Sequence, residues 1–263
     1  MRKTIWWLIV IFGLGLFGLI FYYAMQKMRP APQREPPPVV APPVPTPPAE
    51  PQIRFPIRQE PQEKPLPVLN ASDPVMKEAL GGLWSDKTFE QLFHLKDFIR
   101  RVVATIDNLP RNKLALRLMP VKQVDGKFLT TGKGEGLAIS PDNAARYAPY
   151  MRVAGAMDAT KLVALYVRFY PLFQQAYQEL GYPQGYFNDR LVEVIDHLLA
   201  APQLQAPVKL VQPKVFYLFE DSELEARSAG QKILIRIGDE NAARIKAKLR
   251  EIRGELTRQV PKK

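Results

Sequence analysis

Fifteen of the chain's 26 prolines fall between Pro30 and Pro67, and that crowding divides the sequence into parts that cannot share one fold. Proline fixes φ and lacks the amide hydrogen that helices and central strands use. With almost no large apolar side chains to bury, such a stretch does not recover its ordering entropy by packing. An extended tether of polyproline II character is expected. At about 3.1 Å per residue it reaches on the order of 100 Å. A passive spacer is the preferred reading over a PxxP ligand.

Before the tether lies an uncharged run, IWWLIVIFGLGLFGLIFYYA, from Ile5 to Ala24. At about 1.5 Å rise per residue it makes a helix of about 30 Å, the hydrocarbon thickness of a bilayer. The run is longer than a signal-peptide core, no small-x-small cleavage site follows it, and the chain has no cysteine for lipoprotein processing. Trp6, Trp7, Tyr22 and Tyr23 stand at its two ends, as interfacial aromatic belts do. A retained single-pass anchor over residues 5–25 is expected. Arg2 and Lys3 on one side nearly balance Lys27, Arg29 and Arg34 on the other. A short basic tail ahead of a first apolar helix usually stays in the cytoplasm, so in a bacterium the rest is expected in the periplasm, anchored in the inner membrane.

The organisation that follows is a tail (1–4), an anchor (5–25), a disordered linker (26–67) and one soluble domain (68–263). That domain holds about +7 of the chain's net charge of +11. Its pattern is mainly helical with a small β insert, an α+β multi-helix domain. Helices are expected from Ser72-Asp73-Pro74 to Leu83, from Ser85 to Asn108 with a break near His94, and from Ser140-Pro141 to Gly155. Another runs from Asp158 to Gly181, and one capped by Asn188 ends before Pro202. Two more, Glu223–Ile237 and Glu240–Thr257, close the chain. Residues 115–118, 127–130, 137–139 and 214–219 read as strands, with Gly132-Lys133-Gly134-Glu135-Gly136 as a hairpin tip rather than a phosphate loop.

Four blocks in order, RRVVATIDNLPR (100–111), NAARYAPY (143–150), YPLFQQAYQELGYPQGYFNDRLVEVIDHLLAAP (170–202) and SAGQKILIRIGDENAARIKAKLREIR (228–253), resemble a bacterial domain family of unknown function, number 3014 in its series. The likeness covers nearly all of residues 68–257. It implies the same layout of anchor, Pro-rich tether and domain, and it carries no catalytic residue over.

The chemistry-bearing candidates come from spacing. In NDRLVEVIDHLLA, Asp189, Glu193 and Asp196 follow at i, i+4 and i+7 with His197 alongside, so three carboxylates share one helix face. Neighbouring carboxylates raise each other's pKa, and a carboxylate pair is what a glycosidase uses. A solvated face paired with the domain's own cations is the preferred reading. Both histidines stand four residues after a glutamate, Glu90…His94 and Glu193…His197. Helical di-iron sites use a spacing of three, so no metal centre is expected. The stripe Tyr166, Tyr170, Phe173, Tyr177 reads as core rather than a sugar platform, with Tyr182 and Tyr186 as its exposed members. On the last helix Arg244, Lys246, Lys248, Arg250 and Arg253 form a basic face suited to anionic lipid headgroups or acidic envelope polymers.

These features point to a membrane-anchored envelope protein whose domain binds or scaffolds a protein or the cell wall, without a cofactor and without nucleic acid. The alternative is a glycan-cleaving enzyme using Asp189 and Glu193.

Overall fold

The computed structural model describes residues 52–59, 65–84, 88–204 and 207–258. The anchor Ile5–Ala24 and residues 26–51 of the tether lie outside the described residues. Among the described residues no helix is long and apolar enough to cross a membrane.

The fold is mainly helical, with nine α-helices and two small antiparallel hairpins among the described residues. Its axis is α5 (Ala159–Glu179), which Asp158 starts by accepting the Lys161 amide at 2.9 Å. Around it pack α3 (Phe98–Asn108), α6 (Phe187–Leu199) and the terminal α9 (Asp239–Arg258). Helices α1 (Asp73–Gly81), α2 (Thr88–Leu92) and α4 (Ala148–Ala156) close one side; α7 (Ser222–Glu225) and α8 (Ala229–Arg236) close the other. Phe89, Phe169, Phe173 and Phe187 lie in one buried cluster with Met76 and Ile99. The aromatic stripe belongs there too: Tyr170, Phe173 and Tyr177 are buried.

Several elements differ from the sequence reading for visible local reasons. Asp97 takes a left-handed φ of 54° and separates α2 from α3 near His94, while Asp73 accepts the amides of Asp97 and Phe98 and so holds the start of α3. Residues 116–118 form a 3-10 turn instead of a strand, because Arg101 Nη1 gathers the carbonyls of Arg117 and Met119. Strand β1 (Thr130–Thr131) pairs with β2 (Ala138–Ile139), with the glycine segment as the tip, and β3 (Leu210–Val211) pairs with β4 (Leu218–Phe219). The two hairpins join where Ile139 donates to the Val208 carbonyl and Leu210 to that of Leu137. The stretch 223–237 is two helices rather than one, and Ser228 caps the second by accepting the Gln231 amide. Asn188 is not a cap. It is fully buried inside α6, where it accepts from Tyr166 Oη and donates to the Phe55 carbonyl.

That last bond reaches into the expected tether. Residues 52–59 lie against the domain as a strap, so packed chain starts before Val68. Phe55 packs with Val163, Val192 and Leu256, and Ile57 is 8 % exposed in the main cluster. Asp189 accepts the amides of Arg54 and Phe55 at 2.8 and 2.7 Å, and Tyr186 Oη accepts that of Ile57. Gln59 Nε2 donates to the carbonyl of Val167, four residues before Pro171 inside α5. Proline has no amide to offer there, so the strap supplies the donor that the helix withholds.

Candidate binding site

The three carboxylates of α6 do share one side of the helix, and each is engaged. Asp189 holds the strap. Glu193 pairs with Arg190 at 2.9 Å, one turn back on the same helix. Asp196 receives Arg253 of α9 through two bonds, of 2.5 and 3.0 Å, and this raises the Arg253 pKa further above its ordinary value. His197 Nε2 lies 2.7 Å from Ser228 Oγ. A Ser–His contact is the geometry of an activated nucleophile. Here, though, Ser228 is 6 % exposed, its oxygen already caps α8, and the adjacent acid Asp196 is turned to Arg253.

Beneath this face lies a buried ionic cluster that the sequence spacing did not reveal. Asp107, 2 % exposed, is met by Arg111 Nη2 at 2.6 Å and Tyr182 Oη at 3.2 Å on one oxygen. Arg190 Nη2 faces the other oxygen at 3.3 Å without an aligned hydrogen bond, and donates instead to the Asp107 carbonyl. Tyr182 stacks on Tyr177 and Tyr186 holds the strap, so neither is the free aromatic expected. The cluster ties α3, the turn after α5 and α6 together.

The basic face of α9 is largely spent. Arg244 pairs with Glu240 beside a groove of about 310 Å³, Lys248 with Glu251 and the Met157 carbonyl, and Arg253 with Asp196. Lys246 donates to the Ala201 carbonyl, and its burial lowers its pKa. Of the five, Arg250 alone has no bonding partner among the described residues. Nor is there among the described residues a group of three His, Cys, Asp or Glu that could hold a metal ion; Glu90 pairs with Lys77 and the His94 amide donates to Pro120.

What the fold does build is an open, largely apolar pocket of about 1010 Å³. Its wall takes Ile106 from α3, Met151 from α4, Leu162 from α5, Leu198 from α6, Ile233 from α8 and Leu249 from α9. All six are half-buried core residues whose remaining accessible surface comes with lining this space. Ligand pockets typically span about 300–1000 Å³ and are mostly apolar.

Among the described residues, only two charged ones line the pocket, Lys122 and Arg146. Arg146 Nη2 donates to the carbonyls of Asp125 and Gly126, and Tyr150 Oη to those of Lys122 and Gln123. Burial and then the nearby Asp125 push the Tyr150 pKa up. Leu116, 56 % exposed, also lines the pocket.

The family described as protein of unknown function (DUF3014) matches residues 98–253, and the chain belongs to it. No curated protein and no solved structure matches the chain.

Proposed function

For this member of the DUF3014 family, we propose a single-pass envelope protein, anchored by Ile5–Ala24, whose periplasmic domain works by binding a partner rather than by cleaving one. The observation that carries the reading is the cavity: about 1010 Å³ of largely apolar space walled by seven helices, with no acid lining it among the described residues. The geometry of the carboxylates agrees. Asp189 accepts two strap amides and Glu193 is paired with Arg190, so the pair that a glycosidase would need is already used to hold the fold. A wall this apolar favours an apolar partner in the envelope over a wall glycan.

The test uses the whole chain, made in its membrane with a protease site inserted between Pro48 and Ala49, so that the domain is released with its strap. The released protein is mixed with isolated cell-wall sacculi at low and high salt. The binding reading predicts no soluble glycan fragments. Fragments released by the protein and lost in Glu193→Gln, with folding intact, would establish the enzyme instead.

A further inference from the structure

We propose that the cavity is a binding site for an anionic diacyl membrane lipid, with the acyl chains inside and the phosphate at Lys122 and Arg146; this rests on the binding reading above. Three observations lead there. The first is size. A methylene displaces roughly the volume of a water, about 30 Å³, so a cavity of about 1010 Å³ holds on the order of thirty methylenes, the content of two acyl chains. The chain's own apolar run is too large for it. A twenty-residue helix, about 30 Å long and at least about 10 Å across, occupies over about 2300 Å³.

The second is charge. Of all the lining residues, two are ionic and both are cations. Among the described residues neither pairs with a carboxylate: Arg146 bonds to Asn143 Oδ1 and two backbone carbonyls, and Lys122 Nζ reaches only the Glu90 carbonyl at 3.5 Å. The acids in the neighbourhood are turned elsewhere or stay outside. Glu90 is paired with Lys77, and Asp125 is exposed and absent from the cavity wall. A largely apolar pocket lined, among the described residues, by two cations and no acid complements an amphiphile that ends in an anion.

The third is how Arg146 is held. Tyr150 and Arg146 stand one helical turn apart and both bond the backbone of residues 122–126. Arg146 is therefore held in place by the fold at the segment that begins with Lys122.

The experiment offers the tether-released domain to phosphatidylcholine vesicles containing 10 % of a fluorescent phosphatidylglycerol or of the matching fluorescent phosphatidylcholine. Uptake is read by dequenching, and stoichiometry by native mass spectrometry. The expected result is one lipid per domain and a preference of about tenfold for phosphatidylglycerol. Lys122→Glu should abolish the preference, bringing phosphatidylglycerol uptake down to the phosphatidylcholine level or below. Ala154→Trp, which fills the cavity wall from α4, should abolish uptake of both. Circular dichroism of each variant verifies the fold. Equal uptake of the two lipids, unaffected by Lys122→Glu, overturns the headgroup assignment but leaves a binding domain for neutral apolar ligands. No uptake of either lipid overturns the lipid site; if a small apolar dye then still binds, the binding reading survives without it.

Discussion

At Asp107 one carboxylate, 2 % exposed, answers for two guanidinium groups and a phenol. Removing one member of a buried ion pair leaves the other charge uncompensated and costs about 3–5 kcal/mol. Asp107→Ala should cost about 3 kcal/mol in urea unfolding, the lower end of that range, because Arg190, at 21 % side-chain exposure, keeps only the exposed Glu193 as a partner. Arg111, at 55 %, is largely solvated, so Arg111→Ala should cost about 1 kcal/mol or less. Nothing in the spacing of IDNLPR announced this pairing. Asp107 meets Arg190 across 83 positions, and only the packing of α3 on α6 brings them together. Acid stability turns on other residues. The hydrogen bond from Arg100 holds Glu179 below the usual carboxylate range, and the Lys161 amide does the same for Asp158. A depressed acid stabilises the fold above its unfolded pKa and loses that contribution as the pH falls through its folded pKa. The melting temperature should therefore hold from pH 7 to about 5 and decline below about 4. Glu179→Gln should flatten part of that decline.

Among the elements, most helices were legible because their punctuation is local. Asp158, Ser228 and the Gly181 turn do what their residue types favour. The strap was not legible, since its proline content hides two apolar anchors, Phe55 and Ile57, that pack on the domain while Ile53 stays exposed. Its docking is testable. Asp189→Ala removes the acceptor of the Arg54 and Phe55 amides. Hydrogen exchange at both should accelerate while the core of α5 stays protected, at a cost of about 1–3 kcal/mol. The seating of α8 is equally specific. A Cβ on Gly230 would lie 2.5 Å from Leu198 Cδ2 and 3.1 Å from the Leu109 carbonyl. Gly230→Ala should cost about 1–3 kcal/mol by overpacking, read as a fall in melting temperature. The carboxylate stripe on α6 was visible in the spacing. Its use was not, because the strap, Arg190 and Arg253 that occupy it come from three different segments.

For the whole molecule, the strap docks on the α5–α6 side of the domain. The cavity could not be read from the sequence, since each of its helices looks like an ordinary amphipathic element. Only their arrangement leaves space between Ile106, Leu162 and Leu249. The most direct test of the central claim is a titration of the tether-released domain with Nile red, a neutral apolar fluorophore. The account predicts one saturable, blue-shifted site per domain, lost in Ala154→Trp with the fold intact. No saturable site, or one untouched by that substitution, would contradict a binding domain built around this cavity.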